Sequence, residues 1–279
     1  MVLDCLTGGI PTPWTYDRQP PAESFDRYEV CRRCHFDNYA KTIDSVHYEA
    51  RSQGNSDAPV CTDCHGAHGI PPPDDPRSRT AQTCASCHED IYEKYLDSVH
   101  GRALVGEENQ DVPTCTYCHG VHSIGEPGTT SFRLDIPSLC GDCHSDRERM
   151  AKYGLSTNVL DSYLKDFHGV TIRLAGEQDP VDESLEAVCT DCHGIHGIVS
   201  VKDPSSPVLK ANLVVTCRRC HPGATEDFPS AWLSHYEPSL AHSPLVFSVN
   251  LFYRIIIPLM VVGLLIHVVL NLWRSAINR

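Results

Sequence analysis

Apolar residues are distributed unevenly along the 279-residue chain. From Tyr253 to Trp273 it reads YRIIIPLMVVGLLIHVVLNLW, 21 residues, enough for one membrane helix. Tyr253 and Trp273 stand at its ends, where interfacial aromatic rings belong. Pro258 predicts a kink inside it. No other stretch carries enough apolar surface to cover this segment, which argues against a buried core helix. Upstream, the pattern predicts only short helix-like runs, such as FDNYAKTIDSVH and EDIYEKYLDSVH, separated by irregular loops. Residues 1–30 are polar and Pro-rich and read as an extended arm. Residues 222–252 read as a membrane-proximal connector. Its PSAWLSHYEPSLAHSPLVF mixes aromatic and apolar positions and suits an interface or a membrane partner.

Composition sharpens this picture. Aromatic residues make up 8%, with 20 prolines and 18 glycines, so the side chains alone cannot build an ordinary core. Such chains need staples. The formal net charge of −13 argues against nucleic acid and allows steering toward basic partners.

The staple is legible in the cysteines. Of 15, 14 fall into seven Cys-x-x-Cys-His strings: Cys31, Cys34, His35; Cys61, Cys64, His65; Cys84, Cys87, His88; Cys115, Cys118, His119; Cys140, Cys143, His144; Cys189, Cys192, His193; and Cys217, Cys220, His221. This is the attachment signal for c-type haem. Each thiol adds across one haem vinyl group, and the adjacent histidine lies under the iron as proximal ligand. Zinc pairs and disulfide frameworks also use Cys-x-x-Cys, but neither requires histidine next to the second cysteine, and all seven strings have it. Cys5 is left over and reads as a free or buried thiol, since MVLD before it is a poor lipobox. Thioether attachment takes place outside the cytoplasm, so the haem region is expected in the periplasm or beyond. MVLDCLTGGI has neither basic nor apolar signal regions, so export is expected to depend on a signal supplied otherwise.

The strings alternate between two kinds. In the first kind, a further histidine follows a helix-like stretch: His47, His100, His168 and His235. In the second kind, as in CTDCHGAHGI, it follows three residues on: His68, His122 and His196. The order gives three two-haem repeats plus a single last haem. Seven irons need seven distal ligands, and these seven histidines match that number. The plain alternative for each is a surface or propionate-bonded residue. His65 and His68 are three residues apart and are expected on one side of the chain. The second-kind histidines are therefore expected to ligate neighbouring haems. His235 is expected on the last haem, with His242 as its alternate. Met150 is the single methionine placed to serve as a ligand. Histidine on both faces leaves no vacant iron position and favours a low potential.

Arg274 and Arg279 follow the apolar segment, while His221–Tyr253 has no Lys or Arg. The positive-inside rule puts residues 274–279 in the cytoplasm and the haem region, residues 31–221, outside. Arg254 is placed to snorkel to headgroups or meet a propionate or quinone. His267, inside the span, faces a partner subunit, a quinone or a haem b, or simply bonds to a neighbouring helix.

The repeated CHGxHxI, followed by Pro or Asp-Pro and then TCxxCH, resembles the multihaem cytochrome c superfamily. Its relatives include NapC/NrfH-type quinol dehydrogenases and membrane-anchored subunits that pair with b-type cytochromes. The resemblance covers Cys31–His221 and the tail VNLFYRIIIPLMVVGLLIH. It implies short α-helices and irregular loops around a haem chain, with little β structure and one C-terminal transmembrane helix. It also implies electron transfer between a quinone-linked b-type or iron–sulfur membrane partner and periplasmic or extracellular redox proteins, within a hetero-oligomeric respiratory complex. NapC/NrfH-type proteins carry an N-terminal anchor and four or five haems; here the anchor is C-terminal and the strings number seven. The alternative is an oxidoreductase of the nitrite or hydroxylamine class with one open haem. That class often replaces the proximal histidine, and no Cys-x-x-Cys-Lys string occurs.

Overall fold

The computed structural model describes residues 26–176, 187–231, 235–236, 238–241 and 243–278. Most of the N-terminal arm, Cys5 and His242 lie outside the described residues. Every regular element among the described residues is helical. The first repeat comprises α1 (Asp26–Arg32), α2 (Phe36–Thr42), α3 (Val46–Ser52) and α4 (Cys61–His65). The second comprises α5 (Ser78–Ala85), α6 (Glu89–Leu96), α7 (Val99–Gly101, continued by a π turn Arg102–Gly106) and α8 (Cys115–His119). The third comprises α9 (Thr130–His144), α10 (Arg147–Ala151), α11 (Val159–Lys165), α12 (Phe167–Gly176) and α13 (Cys189–His193). There follow α14 (Leu213–Arg218), a 3₁₀ turn (Phe228–Ala231) and α15 (Pro244–Ile277).

Local chemistry explains the shortness of these helices. The second-kind strings form five-residue helices, each stopped by a glycine. Gly66, Gly120 and Gly194 have φ of +78°, +83° and +84° with ψ near the extended limit, a region open essentially to glycine alone. The helices bearing His47, His100 and His168 start at a side-chain cap two residues earlier. Ser45 Oγ accepts from the Tyr48 N–H at 3.2 Å, Ser98 Oγ from Gly101 at 2.9 Å, and Asp166 Oδ1 from Gly169 at 3.0 Å. Such a cap satisfies one orphan donor of the first turn. Glycine after His100 and His168 is a packing requirement. A Cβ at Gly101 would sit 1.9 Å from the Tyr95 carbonyl oxygen, and one at Gly169 would sit 2.0 Å from that of Tyr163.

The apolar interior is thin. One cluster gathers Ile136, Tyr163, Ile172 and Val188 beside Cys140 and Cys189; a second gathers Ala81, Tyr95 and Leu104 beside Cys115. Both therefore border attachment cysteines. A tyrosine hydroxyl ties down each second-kind string. Tyr28 donates to the Pro59 carbonyl at 2.8 Å, Tyr95 to Pro113 at 2.7 Å and Tyr163 to Ala187 at 2.9 Å.

The apolar segment is longer as a helix than its sequence pattern suggests. α15 begins at Pro244, inside the expected connector, and runs 34 residues. Proline is favoured in a first helical turn because its missing N–H would be unsatisfied there anyway. At 1.5 Å per residue α15 measures about 51 Å, more than the ~30 Å hydrocarbon layer. Its N-terminal turns extend past the 21-residue span or the helix tilts to fit. Its most apolar window has a mean hydropathy of 2.6 and none of it is buried, as befits a helix that meets lipid.

Candidate functional site

Six of the seven proximal histidines face a distal candidate. Ring centres lie 6.2 Å apart for His47–His88, 6.1 Å for His65–His122, 6.3 Å for His100–His144, 6.0 Å for His119–His196, 6.3 Å for His168–His221 and 6.2 Å for His193–His235. Each pair joins one proximal to one distal candidate, and no histidine is used twice.

These spacings test whether a haem iron fits. A metal–imidazole bond is about 2 Å, and a ring nitrogen lies roughly 1 Å from its ring centre. Two imidazoles sharing one iron therefore stand about 6 Å apart, centre to centre. Aromatic packing alone spans a wider range, about 4.5–7 Å; the histidine–phenylalanine contacts here lie at 5.1 and 5.7 Å. Among the described residues no three His, Cys, Asp or Glu side chains gather into another metal site. The residues therefore fit axial ligation of an iron between each pair. Burial also lowers the pKa of several of these rings, and His144 adds to the effect at His100, which falls to about 4. Neutral imidazole is the ligating form.

The pairings also locate His235 and two of the three second-kind histidines, His122 and His196. His235 stands against His193, in the sixth string, and His168 occupies the place facing His221. The expectation that His235 serves the last string is thus replaced by a crossed arrangement. A hydrogen-bonding contact of 3.3 Å between Ser162 Oγ and His235 Nδ1 helps hold the ring there. His122 and His196 turn away from their own strings, but not because three-residue spacing puts both rings on one helical face. The helix ends at the proximal histidine, and the following glycine redirects the chain. His35 and His68 are both exposed, and no ring contact joins them. Met150 is 5% exposed and packs into the interior, while His100 faces the proximal His144 of that string.

The cysteines form a series in chain order. The thiols of Cys31 and Cys61 lie close enough to interact, as do those of Cys84 and Cys115, and of Cys140 and Cys189. Between repeats, Cys64 lies in electrostatic reach of Cys84 and Cys87, Cys118 of Cys140 and Cys143, and Cys192 of Cys217 and Cys220. Every string thus adjoins the next. Among the described residues thirteen cysteines are free thiols, as thioether formation requires. Cys34 is disulfide-bonded.

Sequence reasoning missed several supporting residues. Asp63 and Asp191, inside their strings, accept from the Val60 and Val188 N–H groups at 2.7 Å and fix the start of those helices. Asp191 also meets Arg133 at 2.6 Å, joining α9 to α13. A carboxylate at the third helical position was the available signal. Arg254 and His267 both lie exposed on α15.

Residues 55–145 match the family described as Cytochrome c3. The chain is also similar to the cytochrome c-type protein NapC of Escherichia coli K12, with 24% identity over 161 residues, covering 55% of this chain and 71% of the relative. The NapC proteins of E. coli O6:H1 and O157:H7 match to the same extent. No solved structure matches significantly.

Proposed function

We propose that this chain, a membrane-anchored multihaem c-type cytochrome resembling NapC, binds seven covalent haems and conducts electrons between a quinone-linked membrane partner and redox proteins of the periplasm or cell exterior. The partner would be of b-type or iron–sulfur kind, within a respiratory complex. Bound haem iron supplies reversible one-electron chemistry. The fourteen string cysteines hold the groups in chain order, and the histidines occupy both iron faces and exclude substrate. The observation that carries the reading is the set of six ring pairs, each with one proximal and one distal candidate at 6.0–6.3 Å.

α15 supports the membrane end. Arg274 near its C-terminus fits a cytoplasmic tail, with the haem region on the opposite side. His267 would then lie toward the cytoplasmic side, where a partner's quinone or haem b is a fitting neighbour.

The test is ferric EPR of the purified holoprotein together with a haem count by peptide mass. Seven attached haems with low-spin signals are expected. A stoichiometric high-spin haem at rest would instead favour the open-haem oxidoreductase of the nitrite or hydroxylamine class.

A further inference from the structure

The repeats exchange rings across their boundaries. The first repeat carries His47 to His88 in the second, and the second returns His122 to His65. The second and third repeats do the same, with His100 facing His144 and His196 facing His119. Each exchange thus joins the last string of one repeat to the first string of the next.

One backbone hydrogen bond crosses each exchange. The Val46 N–H donates to the Ile124 carbonyl at 2.9 Å, and the Val99 N–H donates to the Ile198 carbonyl at 2.8 Å. Val46 and Val99 open α3 and α7, so their N–H groups find no partner inside the helix. The cap hydroxyls of Ser45 and Ser98 are already taken by donors further in, Tyr48 and Gly101. The carbonyl that accepts each orphan donor stands two residues after the second-kind histidine, in the HSI of His122 and the HGI of His196. Each bond therefore ties the residue before one exchanged ring to the loop that carries the other. Ser45 and Ser98, next to the two donors, are only 3% and 1% exposed, so water competes poorly for these bonds.

We propose that the Val46 and Val99 amides are positioning groups, each setting two axial rings at once. The site at His65 is thereby coupled to that at His88, and the site at His119 to that at His144. The coupled units are out of step with the sequence repeats, since each spans the boundary between two of them. Such coupling fixes the crossings between repeats in the proposed electron path, and it rests on reading these strings as haem sites.

The test is ferric EPR of the full-length holoprotein in detergent. Low-spin signals read the angle between the two axial ring planes, here 32° for His65–His122 and 27° for His47–His88. His122→Ala and His47→Ala identify the two signals by removing each in turn. Val46→Pro deletes the N–H and keeps α3, because proline suits the first helical position and Ser45 is already extended. The signals of the His65 and His88 sites are expected to shift together in that variant, and Val46→Ala, which keeps the N–H, leaves both in place. Amide-resolved hydrogen exchange gives a second reading that needs no proline. One ordinary hydrogen bond corresponds to roughly a 2- to 12-fold change in an equilibrium, so His122→Ala should speed exchange at the Val46 amide by about that factor. A folded V46P protein with neither signal or only one signal moved, or an H122A protein whose Val46 amide exchanges at the unaltered rate, would overturn the proposal. Peptide mass separates the two readings. Strings of His65 and His88 without haem sink both, whereas loaded strings with unmoved signals and unmoved exchange sink only the coupling.

Discussion

Among the described residues between 26 and 241, the two clusters of buried apolar side chains hold only four and three members, whereas α15 buries not one side chain along 34 residues. Both regions are helical, but their helices exist for different reasons. α15 is long, continuously apolar and stable wherever lipid replaces water, since its backbone bonds are all internal. The helices of the haem region are mostly five to ten residues, too short to persist alone in water. They are held by caps and by tyrosine bonds to neighbouring loops, and axial ligation by the histidines they present would anchor them further. Packing energy is local to the strings, so the cofactors complete the interior.

Expression without haem attachment gives the largest expected effect. The haem region should lose fixed tertiary structure while α15 stays helical in detergent, as read by near- and far-UV circular dichroism. A folded, haem-free region 26–241 would break the comparison. Next come two glycine substitutions of opposite outcome. Gly101→Ala drives a Cβ into the Tyr95 carbonyl and should cost about 3 kcal/mol, near the top of the overpacking range, with a clear fall in thermal midpoint. Gly263→Ala meets nothing within 4 Å and should leave α15 unchanged or more helical. Ser98→Ala removes the cap two residues before His100 and should cost about 1 kcal/mol in denaturant titration. The smallest effect is expected from Arg133→Met. Its half-exposed pair with Asp191 should contribute less than about 1 kcal/mol, and added salt should shrink the difference further.

The sequence made the chemistry far more legible than the connectivity. Cys-x-x-Cys-His is a local pattern, so the strings, the two alternating kinds and the count of candidate ligands can all be read in one dimension. The same holds for the helical character and for the apolar segment. Pairing is different, because it depends on which loops lie side by side after folding. His235 resembles the ligand of its own string by local alignment, yet it faces His193 because His168 already faces His221. The start of α15 at Pro244 was hidden for a related reason: PLVFSVNLF is less uniformly apolar than the span from Tyr253 onward but fully compatible with helix. The tyrosine bonds to Pro59, Pro113 and Ala187 were also hidden, since a tyrosine's partner 18 to 31 residues away leaves no local mark.

Rings of the first kind pair forward, as His47 does with His88, and rings of the second kind pair backward, as His122 does with His65, which has a consequence for how such a chain can grow. Inserting one whole repeat into the middle would give every added ring a mate. Inserting a single string would strand a histidine of one kind. Lengthening by pairs is therefore the inexpensive route.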